Sequence, residues 1–445
     1  MPYVITPKSK NEVWVAVPRF LPLSIGFLHS QTPSYNLFIV NRYIDWITPL
    51  PEEIRKRIGA STLFRKAEVY HETLTLSNKA ERDKALSRYA DDIEGIKDEH
   101  TLCIRKGHEF SIISHLIQDG TLPFVPQGVK DEDLRPAPTG IRLRPYQLHG
   151  WDMFKETGMV GIYWPPSAGK TYISLYCGER VRGKKLVVVP SRTLKEQWMQ
   201  KIATLVQHPE EWEVQTYHYL IGKKGWVYSM ATTALTIFDE AHHLPATTFS
   251  KLSTIRTKYR IGLSASPYRE DGRTDYIFAL TGFPVGMDWG ELMRIGIIEQ
   301  PSIRVMLCTS RQEKRNKLEY LLKSLEGKIL VFCDSLREGD YLSKYLLIPY
   351  VHGKSVNRME TFAANRIVIA SRIADEGLSI KDLGTVIEYD FLGGSRRQET
   401  QRVGRVMHGE HKGKHIILMT DSEFNKYEKR LYALEEHGMR ISFQR

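Results

Sequence analysis

Cysteine is scarce and never clustered: Cys103, Cys177, Cys308 and Cys333 stand far apart, with no CxxC spacing. A cysteine zinc site and a disulfide-framed secreted scaffold are both set aside, and a reducing compartment is the expectation. Long hydrophobic runs are missing as well. No stretch approaches the about 18 apolar residues of a membrane span, and the opening MPYVITPKSK lacks the apolar centre of a signal peptide. There is no internal sequence repeat and no low-complexity tract. These absences predict a soluble, intracellular (cytoplasmic) protein that keeps off membranes. What is present in excess is positive charge, +11 over 445 residues with a pI near 9.2. That balance points to a polyanionic partner, nucleic acid ahead of an acidic membrane surface.

From residue 159 onward, short apolar runs recur at the length of buried strands: MVGIYW, KLVVVP, ALTIFDE, RIGLSAS, then KILVFCD, RIVIAS, TVIEYD and HIILMT. Amphipathic stretches such as TLKEQWMQKIATL and LREGDYLSKYL separate many of them. Nearly continuous apolar strands alternating with helices predict α/β architecture with parallel sheets covered on both faces. The runs fall into two groups of four, so two doubly wound lobes are expected, with a junction near GELMRIGIIEQP. Residues 1–137 look different and predict a small α+β accessory domain. There EVWVAVP and YNLFIV read as strands and SNKAERDKALSRYADDIEGI as a charged helix. KDEDLRPAPTG reads as the linker into a first lobe over 138–298, followed by a second over 299–445.

YWPPSAGKTYISLYCGE follows the first strand of the first lobe and opens a helix. A turn ending in Gly-Lys-Thr presents backbone N–H groups and a helix N-terminus to phosphate oxygens. Ser167, Ala168 and Gly169 form the turn, Lys170 neutralises β- and γ-phosphates, and Thr171 offers its hydroxyl to Mg²⁺. The pattern GxxxxGK followed by Ser or Thr wants glycine at 164, where this chain has tryptophan. FDEAHH ends a later strand of the same lobe. Asp239 at a strand end can hold Mg²⁺, and Glu240 can orient or deprotonate an attacking water. His242 and His243 have no usual metal spacing, and a coupling role suits His242 better.

Near the C-terminus, GGSRRQETQRVGRVMHGE holds Arg396, Arg397, Arg402 and Arg405 within ten residues. Set in order, RPYQ, SAGKT, VVPSRTLKEQW, TYHYL, DEAH, SAS, IASRIADEGLSI and QRVGR resemble superfamily 2 helicases over about 140–420. Within that group the chain looks most like XPB-type DNA helicases, and phage UvsW-type branch-migration helicases share the plan. GGSRRQETQRVGRVM is close to their motif VI, and Arg269, Glu270 and Asp271 stand where that family has its RED triplet. The resemblance implies two RecA-like lobes that close on ATP and Mg²⁺. It makes Arg405 the finger on the γ-phosphoryl, Arg402 a γ-phosphate or interdomain contact, and Gln401 part of that interface. Arg402 and Arg405, three apart, are expected on one side of a helix. His408 stands where many members have another arginine. Either Arg405 does the transition-state work alone, or the histidine gives slower or pH-sensitive turnover. For Arg396 and Arg397, a solvated or structural face competes evenly with ligand contact.

The same resemblance puts Arg192 and Thr216 on the nucleic-acid track, Ala374 to Gly377 facing both ligands, and Ser264 and Ser266 between the two sites. Gln147 takes the place of an adenine reader, with Arg144 beside it, and the tract 284–300 leaves room only for a small thumb. Trp14, Phe20, Tyr43 and Trp46 are expected in an apolar core ahead of a base-stacking role. The function implied is an ATP-dependent DNA helicase or translocase on forked, branched or damaged DNA, 3′→5′ and monomeric, with a nuclease or repair factor as possible partner. An RNA helicase and a DNA-binding scaffold with impaired turnover are the alternatives.

Overall fold

A computed structural model describes residues 3–445 except 10–11, 22–24, 42–49, 59–64, 120, 124–126, 167, 223–231, 247, 250–251, 253, 266–273, 287–288, 376–379, 394 and 408–411. The chain divides into two compact units. One holds 1–21, 33–164 and 169–287, and the other holds 22–32, 165–168 and 288–445.

The first unit is built on six parallel strands. In spatial order they are Trp212–Thr216, Lys185–Val189, Thr233–Phe238, Thr257–Ser264, Met159–Tyr163 and Phe283–Gly286. Lys185–Val189 is buried along its whole length, as a central parallel strand covered on both faces must be. Because all six run the same way, their C-terminal ends share one edge, where ligands of open α/β sheets bind. The helix Pro145–Thr157 starts on a proline at its first position and ends at Gly158, whose φ of 71° favours glycine. Ser191 caps the helix Arg192–Leu205 by accepting from Leu194 N at 3.2 Å.

Ahead of that sheet, a five-stranded sheet orders Ile93–Ile96, Thr101–Ile104, Thr73–Leu76, Arg65–Tyr70 and Thr121–Leu122. Its helix Glu109–Gln118 serves two cores: Ile112 and Leu116 pack with Leu74 and Leu102, while Ile113 and Ile117 join Leu186, Tyr217 and Phe238 of the six-stranded layer. EVWVAVP and YNLFIV are strands, as expected, paired antiparallel as Glu12–Pro18 and Tyr35–Asn41. The long charged helix is shorter than the sequence suggested. Capped by Asn78, it covers Lys79–Arg88 and stops at Tyr89, and Ile93–Ile96 is a strand. Phe20 is 82% exposed, against the core reading, Trp14 is half-buried, and Tyr43 and Trp46 lie outside the described residues.

The second unit carries seven parallel strands in the order Tyr350–Val351, Ile367–Ala370, Lys328–Cys333, Leu383–Asp390, Lys414–Thr420, Ser302–Cys308 and Ile441–Gln444. All eight apolar runs read from the sequence are strands of these two sheets. The members not read were Trp212–Thr216, Phe283–Gly286, Ser302–Cys308, Tyr350–Val351 and Ile441–Gln444, most of them short, polar or at an edge.

Candidate functional site

Along the C-terminal edge of the six-stranded sheet, the strand before Asp239 lies between those ending at Val189 and Ser264, with Tyr163 and its loop one strand further on. Lys170 heads its helix behind Gly169, which has φ 84°. A Cβ on Gly169 would come within 2.4 Å of Gln147 Nε2, so glycine is required both by backbone and by space. Lys170 Nζ donates to Trp164 O at 2.8 Å. Burial pulls its ammonium below the usual lysine range, against the Glu240 and Asp239 carboxylates, which push it up.

Trp164, the departure from the glycine pattern, is 1% exposed and meets Tyr146 edge-on at 5.3 Å. The indole lies beside Gly150, where an added Cβ would find it at 3.5 Å. The tryptophan thus packs inward under the Pro145 helix, and the missing side chain at 150 makes room for Ile173, whose Cδ1 an added Cβ would meet at 2.7 Å. Gln147 is buried with both amide ends engaged. Its Oε1 accepts from Arg144 N at 2.9 Å and its Nε2 donates to Gly169 O at 3.3 Å. Thr171 is half-buried and Ala168 fully buried, while Ser167 lies outside the described residues.

Asp239 is 7% exposed, and burial pushes its carboxyl up. Its own N–H donates to Val188 O at 2.8 Å, and it accepts three further hydrogen bonds. Trp198 Nε1 donates to Oδ2 at 2.7 Å, Glu240 N to Oδ1 at 2.9 Å, and Tyr217 Oη to the backbone oxygen at 3.0 Å. Glu240 sits at φ 48°, ψ 51°, a left-handed conformation costing about 1–3 kcal/mol for a residue with a Cβ. His242 is buried, with Nδ1 3.1 Å from Ser264 Oγ and 3.3 Å from Glu240 Oε2. The expected coupling pair His242 and Ser264 is therefore brought together beside Glu240. Ser266, Arg269, Glu270 and Asp271 lie outside the described residues.

Arg192 and Thr216 line one groove of about 620 Å³. Lys195, His218, Tyr219 and Met199 share it, none of them singled out from sequence. Lys195 and Tyr219 give the groove a cation and an aromatic face, the two ingredients of strand binding. Trp198 and Tyr217 were missed too, because buried aromatics at core spacing read as packing. The usable signal was polar: a buried indole N–H or phenol O–H must find an acceptor.

In the second unit the arginine stretch divides. Arg402 is fully buried, donating from Nε to Asp375 Oδ1 at 2.7 Å, from Nη1 to Glu388 Oε2 at 2.6 Å and from Nη2 to Asp334 Oδ1 at 2.6 Å. Nη2 also donates to Asp375 Oδ2 at 3.3 Å, so four of the five N–H groups of Arg402 are engaged by carboxylates, an arrangement that holds the fold together. Arg402 and Arg405 do not share a helix face. The helix Arg396–Val403 ends before Gly404, and Arg405 lies on the 3-10 turn Gly404–Val406. Arg405 stays half-buried and donates to Asp375 O at 2.6 Å, so both arginines converge on one residue. Gln401 is buried, and Gly377 and His408 lie outside the described residues.

Arg396 turns out structural. It is buried, donates to Leu28 O and, at 2.9 Å, to Glu436 Oε1, and stacks 4.0 Å from the Phe27 ring. Arg397 is half-buried. Beneath the helix, Glu388, Glu399 and His415 converge as a metal site would, but their atoms are already taken. Arg430 donates to Glu388 at 2.6 Å and Glu399 at 2.8 Å, and His415 Nε2 lies 3.0 Å from each carboxylate.

Residues 291–445 match the family described as ERCC3/RAD25/XPB C-terminal helicase, and residues 140–269 match the type III restriction enzyme res subunit. A protein of Halobacterium salinarum named "Putative DNA 3'-5' helicase Rad25" is 29% identical over 350 residues, 68% of this chain and 58% of its own length. The "DNA 3'-5' helicase XPB" of Kineococcus radiotolerans is 25% identical over 364 residues, 68% of this chain and 65% of its own length. The chain thus spans less than two thirds of either relative. The solved structure of S. cerevisiae Dbp5 bound to RNA and ADP BeF3 superposes with a TM-score of 0.50 at 14% identity, covering 68% of this chain and 93% of that one. That likeness shows the fold, tandem RecA-like α/β lobes. By these matches the chain is similar to the XPB/Rad25 helicases.

Proposed function

We propose that the chain is an ATP-dependent DNA helicase or translocase, with residues 138–298 and 299–445 as its motor lobes and 1–137 as a DNA-recognition module. The observation that carries this reading is the single edge on which Lys170, Asp239, Glu240 and the His242–Ser264 pair stand beside a cationic, aromatic groove. In this reading the Walker A turn at Gly169–Thr171 holds the phosphates and the DEAH carboxylate Glu240 orients the attacking water. Arg405 stabilises charge on the transferring phosphoryl, while Gln147 and Arg144 flank the base. The hydroxyl of Thr171 and the carboxylate of Asp239 are hard oxygen donors suited to Mg²⁺, which when bound would draw charge off the β- and γ-phosphates. Arg192, Lys195 and Thr216 grip a phosphate backbone, an electrostatic and sequence-independent contact.

The names of the relatives support 3′→5′ polarity, and the same comparison supports repair of forked, branched or damaged DNA, with branch migration as its recombination counterpart. A repair nuclease is the partner proposed for a monomeric, intracellular motor. The test is steady-state ATP hydrolysis alone and with single-stranded DNA, duplex, forked DNA and RNA, with Lys170→Ala as the dead control. Stimulation by DNA that vanishes in the control supports the motor, and the best activator names its substrate. Stimulation by RNA alone replaces DNA with RNA, and absence of turnover with every nucleic acid overturns the reading.

A further inference from the structure

We propose that a second coupling route, distinct from His242 and Ser264, runs from the groove to the phosphate end through Trp198 and Tyr217, which act as positioning residues for Asp239. The inference rests on the motor reading above and adds to it.

Two features of the fold carry it. The helix Arg192–Leu205 lines the groove with Arg192, Lys195 and Met199. Trp198 lies about a third of a turn round the same helix, and there it is 1% exposed and donates to Asp239 Oδ2 at 2.7 Å. On the groove's other side, Thr216 caps the short helix Tyr217–Ile221 by accepting from Tyr219 N at 3.2 Å. The next residue, Tyr217, is fully buried and donates to Asp239 O at 3.0 Å. Each wall of the groove therefore sends one buried donor to the same aspartate, one to its carboxylate and one to its backbone. With Glu240 N on Oδ1, the carboxylate is oriented from two directions while Tyr217 fixes the backbone that carries it.

The sheet explains why this is possible. The strands ending at Thr216 and Val189 are neighbours, paired Val189 to Thr216, and the strand before Asp239 lies against the second. A close-packed interior passes on a displacement instead of absorbing it. A strand of DNA that shifts the Arg192 helix must shift the Trp198 N–H with it, and so re-aim Oδ2. Such coupling is reciprocal: if DNA changes nucleotide affinity by some factor, nucleotide changes DNA affinity by the same factor.

The experiment measures that factor without turnover. Affinity for a fluorescent, non-hydrolysable ATP analogue in Mg²⁺ is titrated with and without oligo-dT, for the full chain and for Trp198→Phe, Tyr217→Phe and the double variant. Each substitution deletes one donor and keeps an aromatic ring, a smaller one at 198, so thermal melting is followed alongside. A wild-type coupling factor of about 5–150 is the usual range. Each single variant should lower it roughly threefold, and the double variant should lower it further, towards the remainder that the His242–Ser264 pair sustains, beyond any change in Tm. A double variant that keeps the wild-type factor overturns the inference and leaves the motor reading standing. So do variants that lose Tm while the factor holds, since their donors would then be structural. A wild-type factor of 1 likewise overturns the coupling route, while the motor reading stands or falls on DNA-stimulated turnover.

Discussion

The C-terminal edges of the two sheets treat buried charge in opposite ways. On the first, Lys170, Asp239 and Glu240 stand close together, and their described partners include a tryptophan N–H, a backbone N–H, a carbonyl and a serine-bound histidine. On the second, Asp334, Asp375, Glu388 and Glu399 face Arg402, Arg430, His415 and Arg372, four groups against four, at 2.6–3.4 Å. On the second edge, then, each of these carboxylates is matched by a cation or a histidine. Arginine density in a sequence therefore does not identify a ligand site. Of the four arginines in the C-terminal stretch, Arg396 and Arg402 are consumed by the fold.

The sharpest way to break the comparison is at two positions three residues apart. Arg405→Ala should lower DNA-stimulated turnover about 10³–10⁵-fold, the weight of a phosphoryl-stabilising arginine. Its bond to Asp375 O is worth about 1 kcal/mol, so Tm should fall far less than in the Arg402 variant. Arg402→Ala should do the reverse first. Removing the cation strands three buried carboxylates and costs about 3–5 kcal/mol, read as a large fall in Tm or loss of soluble protein. If Arg402→Ala stays folded and merely stops hydrolysis, the second edge is catalytic after all and the contrast fails.

A smaller effect comes from protons. Burial pulls His415 down, but its hydrogen bonds to Glu388 and Glu399 win, raising it from 6.5 to about 9. The folded state thus holds a proton that the unfolded chain releases. That stabilisation is complete below pH 6.5 and is lost as pH rises through 9, at most on the order of 3 kcal/mol. Tm should fall between pH 7 and 9.5, and His415→Gln should flatten that part of the profile. An equal slope in the variant would move the titration to another group.

Much of this was legible beforehand, and the gaps have physical causes. Eight apolar runs located the centres of both sheets, since a strand buried on both faces cannot avoid being apolar. Edge strands such as Tyr350–Val351 carry no such constraint and left no trace. The Gly-Lys-Thr turn and the DEAH stretch were read into the same lobe, and the structure puts Lys170 and Glu240 on one edge. The sequence could not show that Gly404 ends the helix, so a spacing of three was taken for a shared face. Nor could it pair Arg402 with Asp334, 68 positions away. Buried ion pairs are contacts of tertiary structure, with no local signature.

The mildest perturbation tests whether the first edge extends to the groove. Arg192→Ala and Lys195→Ala each remove one cation from a solvent-facing wall, and neither reaches Asp239. Phosphate contacts act through counterion release, so each should lower the slope of log affinity against log salt for single-stranded DNA by about 0.7. At low salt the loss should be only a few-fold, because the remaining cations still hold the backbone. Lys195 also donates to Gln215 Oε1 at 3.1 Å, so its variant has a control. Gln215→Ala frees the lysine without removing charge, and the slope should stay as in the wild type. An unchanged slope in Arg192→Ala and Lys195→Ala would place the track elsewhere and confine the functional edge to the phosphate end.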